Sequence, residues 1–278
     1  MTQNIIERYA VIGNPIAHSK SPAIHSAFAK QTGEQLNYTA ERVEPGRVKE
    51  FIDSFSQQNG KGLNITVPFK QDAYELATHL SERAKRAGAV NTLSINENSL
   101  SGDTTDGVGL LNDLKKNHGQ TIQNKQVLVI GAGGAVRGTL EPLLLEKPEN
   151  LVVVNRTLSK AQQLTEIFSD LGDISACSFN ELQGKQFDLI INGTSASLSG
   201  DLPPLPEQLF AENACAYDMM YASAATVFMH WAKEQQAKYI YDGLGMLVEQ
   251  AAESFYIWRN KYPETQSVIK QLRTEIQR

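Results

Sequence analysis

The sequence predicts an α/β protein built from two domains. Three observations carry that prediction. Short apolar runs alternate with helix-period segments from end to end, the pattern of βα units and mostly parallel sheets. The length of 278 residues favours two modest cores, with a cleft between them, over one large one. The strand pattern also restarts at Val127 after a helical connection, as it would at the first strand of a second, doubly wound domain.

In the first third, the apolar runs Tyr9 to Ile12, Tyr38 to Val43, Leu63 to Val67 and Val90 to Ile95 read as strands with helices between them. Pro22 suits the first turn of a helix, with Ser21 as its N-cap. After Pro45, the spacing of Val48, Phe51, Ile52 and Phe55 makes one buried helical stripe. Pro68 ends the third strand. Leu110, Leu111 and Leu114 mark a helix leaving the region after Asp106.

The second series runs Val127 to Ile130, Leu151 to Val154, Phe187 to Ile191, Ala214 to Tyr217 and Tyr239 to Tyr241, with a weaker strand at Ile174 to Cys177. It is complete near Asp242. Leu244, Leu247, Val248, Ala251, Phe255 and Trp258 then fall at helical spacing, and a last helix follows Pro263. These terminal helices are expected to return to the first domain.

Composition removes several function classes. A net charge of −5 and a pI near 5.6 provide no basic stripe for nucleic acid or an anionic membrane. No run reaches the ~18 apolar residues of a membrane span, and Met1 to Arg8 lacks a charged region followed by an apolar core. A cytoplasmic protein is expected. Cys177 and Cys215 do not form a C-x-x-C pair, so neither a disulfide framework nor a zinc cluster is indicated. His18 and His25 have no third ligand at recognisable spacing, and no metal is expected.

Gly131-Ala132-Gly133-Gly134-Ala135 follows the apolar strand Val127 to Ile130 and opens a helix carrying Leu140, Leu143 and Leu144. In that context a glycine turn holds a dinucleotide: Gly131 permits the turn, Gly133 admits a pyrophosphate, and the helix N-terminus supplies free N–H groups. The third small position of the fingerprint falls on Val136, so helix packing should differ there. About twenty residues on, where an NAD enzyme places an acid for the ribose, the chain reads Asn155-Arg156-Thr157. Arg156 can pair bidentately with a 2′-phosphate and Lys160 adds a charge, so the cofactor is expected to be NADP.

Hydride chemistry also needs a proton carrier and polar groups facing the nicotinamide. Ser19, Ser21, Thr66, Lys70, Asn91 and Asp106 all fall at the carboxyl ends of first-domain strands or at the connection. Taken singly, each has a plain structural reading as a cap, a turn former or a solvated charge.

Together they lie in blocks that resemble the shikimate dehydrogenase family. These are Gly13-Asn14-Pro15-Ile16-Ala17-His18-Ser19-Lys20-Ser21-Pro22, Asn64-Ile65-Thr66-Val67-Pro68-Phe69-Lys70 and Gly88-Ala89-Val90-Asn91-Thr92. Asp106-Gly107-Val108-Gly109, the Gly131 turn, Asn155-Arg156-Thr157, Asp218-Met219-Met220-Tyr221 and Asp242 through Gln250 follow in family order. The resemblance implies an NADP-dependent oxidoreductase that reversibly reduces 3-dehydroshikimate to shikimate on the route to chorismate and the aromatic amino acids.

It further implies an N-terminal α/β substrate domain with a mixed sheet, residues 1–106 and 243–278, and a Rossmann NADP-binding domain, residues 107–242. Lys70 and Asp106 would be the catalytic pair. Ser19, Ser21 and Tyr221 would lie near the substrate carboxylate, and Thr66, Asn91 and Gln250 on its hydroxyl side. Met219 and Gly243 would line the nicotinamide end, with Asn155, Arg156, Thr157 and Lys160 around the adenosine phosphate. The family often has a second arginine where this chain has Lys160, which keeps charge but loses bidentate geometry. The implied partner is the small-molecule substrate, for a monomer or homodimer. A broader quinate/shikimate enzyme that tolerates NAD is the nearest rival, and Arg156 without an acidic neighbour argues against it.

Overall fold

The computed structural model describes residues 6–196 and 200–277; the five amino-terminal residues read above for a targeting signal lie outside it. The chain divides into two compact units. One comprises Met1–Gly109 with Val248–Val268, the other Leu110–Leu247 with Ile269–Arg278.

The first unit runs β1 (Glu7–Gly13), α1 (Ser21–Thr32), β2 (Leu36–Arg42), α2 (Val48–Gln57), β3 (Gly60–Ile65), α3 (Lys70–Leu76), β4 (His79–Leu80), α4 (Glu82–Ala87), β5 (Thr92–Asn96), β6 (Ser99–Asp103) and the start of α5 (Asp106–Asn112). Its sheet has the order β2-β1-β3-β5-β6-β4. β1 pairs in parallel with β2 and β3, whereas β5 is antiparallel to β3 and to β6, so the sheet is mixed.

The helical stripe read after Pro45 forms as expected: Val48, Ile52 and Phe55 of α2 are buried on Leu63, Ile65 and Phe69, with Phe51 packed at the edge. β4 and β6 have no counterpart in the sequence reading, because Ser99–Asp103 and His79–Leu80 carry little apolar alternation. The N-cap reading of Ser21 shifts by one turn position. Helix α1 starts at Ser21 itself, Pro22 occupies its first turn, and the Ser19 hydroxyl oxygen accepts the Ser21 N–H at 3.3 Å.

The second unit contains a π-helical turn (Asp113–Asn117), β7 (Gln126–Ile130), α6 (Gly134–Leu145), β8 (Asn150–Val154), α7 (Leu158–Phe168), β9 (Ile174–Cys177), β10 (Phe187–Asn192), β11 (Phe210–Asp218), α8 (Val227–Glu234) and β12 (Tyr239–Asp242). Every pairing is parallel, in the order β12-β11-β10-β7-β8-β9. That is the doubly wound arrangement in which the sheet reverses beside its first strand, here β7. Strands buried on both faces read as continuous apolar runs. Val127, Leu128, Val129 and Ile130 are accordingly all fully buried.

The chain closes with α9 (Leu244–Arg259) and α10 (Gln266–Ile276). The division departs from the expected one in three places. Gly107–Gly109 stays with the first unit, while Leu110 and Leu114 bury in the core of the second. Gly243–Leu247 stays with the second unit, where Met246 is buried. Residues from Ile269 onward also group with the second unit, where Arg273 Nη1 holds the Asp242 carboxylate at 2.7 Å. Among the described residues no helix is long and apolar enough to cross a membrane.

Candidate active site

In the first unit, strand ends converge on one carboxylate. β3 leads into Thr66, which donates its N–H to the Ile12 carbonyl at 3.0 Å, and on to Lys70, the first residue of α3. The turn is anchored by Phe69, which is buried. The Lys70 carbonyl in turn accepts the Val90 N–H at 3.0 Å, and the Asn91 N–H donates to the Asp103 carbonyl at 3.0 Å. These main-chain links bring Lys70, Asn91 and Asp106 together from three separate stretches of sequence.

Lys70 Nζ lies 2.5 Å from Asp106 Oδ2, and the two side chains are 17% and 4% exposed. The second carboxylate oxygen, Oδ1, accepts the Asn91 amide at 3.0 Å, and the same amide nitrogen reaches Gln250 Oε1 at 3.1 Å. The Asn91 side-chain oxygen accepts the Thr105 main-chain N–H at 2.9 Å. Because a main-chain N–H can only donate, the amide orientation is fixed with its nitrogen toward Asp106. Lysine and asparagine thus present their donors to an acceptor-only carboxylate, leaving the lysine ammonium half-shielded beside it.

Beneath Asn91 lies a layer of buried polar side chains that sequence reasoning missed. Ser254 Oγ meets Thr92 Oγ1 at 2.8 Å and accepts from Asn64 Nδ2 at 3.0 Å, while Tyr38 donates to Asn64 Oδ1 at 2.7 Å. A polar residue at a helix or strand position reads as surface in a single sequence, and only its partners reveal burial. His25 is fully buried and stacks on Tyr38 with ring centroids 4.2 Å apart. Burial pushes its pKa down to about 3, against an opposing pull from the Asn64 side chain. It is a neutral core imidazole, and among the described residues no three His, Cys, Asp or Glu side chains cluster to hold a metal.

Ser19 and Ser21 are half-buried at the start of α1. Tyr221 belongs to the second unit, where burial and the Asp242 charge push its hydroxyl pKa up.

In the second unit, β7 ends in Gly131, whose φ of +113° is a conformation side chains rarely adopt. Gly133 is different. Its φ of −78° is open to any residue and a Cβ there would meet no protein atom within 4 Å. Neither strain nor packing accounts for that glycine, so the room it leaves is room for a ligand. Gly133 is also the N-cap of α6 and provides no side-chain cap, leaving N–H groups for an anion. These features fit a dinucleotide pyrophosphate.

The irregular third position is resolved across the sheet. Val136 is buried, and it packs where a side chain on Gly193 would otherwise stand. The small residue needed for close helix–strand approach lies on the exit of β10, not on α6. Arg156 and Lys160 are exposed at the start of α7, and Asn155 Nδ2 closes the turn by donating to the Thr157 carbonyl at 2.9 Å. The helix has no side-chain cap at Thr157, which leaves its first N–H groups for an anion. Met219 is buried, and Gly243 lies so close to it that a Cβ would overlap the Met219 carbonyl.

Three family models match in succession: the shikimate dehydrogenase substrate binding domain at residues 11–93, shikimate/quinate 5-dehydrogenase at 113–199, and the shikimate 5′-dehydrogenase C-terminal domain at 243–273. A shikimate dehydrogenase (NADP(+)) of Cellvibrio japonicus is 53% identical over 96% of this chain and 97% of its own. The chain belongs to the shikimate dehydrogenase family. Among solved structures, an Ael1 enzyme from Pseudomonas putida matches with a TM-score of 0.90 at 44% identity, over 96% of this chain and 98% of that one. Shikimate 5-dehydrogenase from Thermus thermophilus, solved with NADP(H) and shikimate, matches with a TM-score of 0.86 at 31% identity, over 98% of this chain and 100% of that one.

Proposed function

We propose that this member of the shikimate dehydrogenase family reduces 3-dehydroshikimate to shikimate with Lys70 and Asp106 as its acid–base pair. The oxidoreductase class, the use of NADP and the place on the route to chorismate and the aromatic amino acids come with the family at 53% identity. The assignment of residues rests on one observation, the contact of 2.5 Å between Lys70 Nζ and a nearly buried Asp106.

NADPH, when bound, supplies the hydride. As that hydride adds to the carbonyl carbon the C=O π pair moves onto oxygen, and an ammonium at hydrogen-bond distance neutralises the developing negative charge by giving up a proton. Lys70 is the donor in this reading. Asp106 holds the ammonium in place and, with Gln250, orients the neighbouring hydroxyls. Gln250 Oε1 already accepts from Asn91, so its own amide N–H groups are the ones offered to substrate. Ser19, Ser21 and Tyr221 are assigned to the substrate carboxylate, and Thr66 and Asn91 to the hydroxyl side. Gly131 to Ala135, Asn155, Arg156, Thr157, Lys160, Met219 and Gly243 are assigned to the cofactor.

The first unit is proposed as the substrate domain and the second as the NADP domain. A cytoplasmic location and action as a monomer or homodimer belong to the same reading. The test follows the absorbance of reduced nicotinamide with shikimate and with quinate, each with NADP and NAD. Turnover should be fastest with shikimate and NADP; a folded chain without that activity overturns the reading.

A further inference from the structure

Asp113 is a carboxylate, 1% exposed, that the chemistry above does not use. It opens the π-helical turn after α5, an irregularity common at functional sites. Its Oδ2 accepts the Tyr217 hydroxyl at 2.6 Å. Its Oδ1 accepts Asn117 Nδ2 at 2.8 Å, and His118 Nε2 lies 3.5 Å from the same atom. Gly245 closes the remaining side, where any Cβ would overlap the carboxylate.

These contacts tie together two stretches of the second unit. Tyr217 and Asp218 are the last residues of β11, paired with Tyr241 and Asp242 of β12. Asp218 is bolted on its own side by Thr226 Oγ1 at 2.6 Å and Asn192 Nδ2 at 3.1 Å. The next residues are Met219 on one strand and Gly243 on the other, and Gly243 donates its N–H to the Met220 carbonyl at 3.0 Å. Asp113 therefore touches the end of β11 through Tyr217 and the start of α9 through Gly245, on either side of Met219 and Gly243.

We propose that Asp113 and Tyr217 are positioning residues for the nicotinamide end of the cofactor site, holding Met219 against Gly243. The proposal rests on the assignment of Met219 and Gly243 to that end. A buried carboxylate deprived of a donor has to find another, and the backbone it touches moves with it.

The test compares NADPH with 2′,5′-ADP, which carries the adenosine end alone, by equilibrium titration of the whole chain. Tyr217→Phe, which loses one charge-assisted hydrogen bond, and Gly245→Ala, which drives a Cβ into the Asp113 carboxylate, should each raise the Kd for NADPH about tenfold and leave 2′,5′-ADP within about twofold. Equal weakening of both ligands by Tyr217→Phe assigns the pair to stability alone and overturns the proposal, as does unchanged NADPH binding. Met219→Ala separates the two levels. If it changes neither ligand, the nicotinamide assignment falls and the proposal with it; if it weakens NADPH alone while Tyr217→Phe does nothing, only the proposal falls.

Discussion

The two units present their chemistry in opposite ways. In the first, the candidate groups are side chains held in a dense buried network, with Asp106 gripped by Lys70 at 2.5 Å and by Asn91 at 3.0 Å. In the second, the candidate groups are backbone and exposed charge: a glycine turn, an uncapped helix start, and Arg156 at the surface. Proton transfer depends on the position of single atoms, which only rotamers locked by neighbours can fix. Phosphate recognition is diffuse by comparison, because several N–H groups and a flexible cation share the charge.

The largest expected effect comes from breaking the first arrangement. Lys70→Ala should lower kcat by ~10²–10⁴-fold while NADPH still binds, since proton transfer is lost and the second unit is untouched. Steady-state kinetics with a parallel NADPH titration measures both; a change confined to KM would make Lys70 a binding residue. Next is the surface charge of the second unit. Arg156→Ala should weaken NADPH about ten- to hundredfold, one charge-assisted contact, and leave NADH nearly unchanged. Equal losses for the two cofactors remove the phosphate assignment.

A third prediction probes the buried layer beneath the catalytic pair. Folded, His25 stays neutral down to about 3, whereas the unfolded chain takes up its proton near the ordinary 6.5. The unfolded state binds more protons between those values, so stability falls as pH drops from 6.5 toward 3, by up to ~1.4 kcal/mol per pH unit. Urea unfolding at several pH values should show a flatter dependence in His25→Leu; an unchanged slope would mean that other groups carry the acid sensitivity. The smallest effect is expected at Ser19. Its hydroxyl already accepts the Ser21 N–H, so Ser19→Ala should raise the substrate KM about fivefold, roughly one neutral hydrogen bond, with little change in kcat.

Much of this was legible in the sequence. Continuous apolar runs such as Val127–Ile130 fit strands buried on both faces, and they pointed to the parallel sheet of the second unit. Arg156 was legible for a similar reason, because its place after the second strand of a dinucleotide fold is set by chain length alone. The antiparallel arm formed by β5 and β6 was not, since Ser99–Asp103 has no apolar alternation and is a strand only because β5 and β4 flank it. Val136 looked like a defect in the fingerprint until Gly193, far along the chain, proved to face it.

The sequence by itself determined which residue types stand at strand ends, where the glycine turn falls and which charge meets the second strand, because these follow from local periodicity and spacing. Only the tertiary structure decided that Asp106 meets Lys70 and Asn91, that Ser254 and Thr92 support Asn91 from below, and that Asp113 is buried against Gly245. Those contacts join positions far apart in the chain, and the free energy of a buried polar group depends on the partners that packing provides, not on its neighbours in sequence.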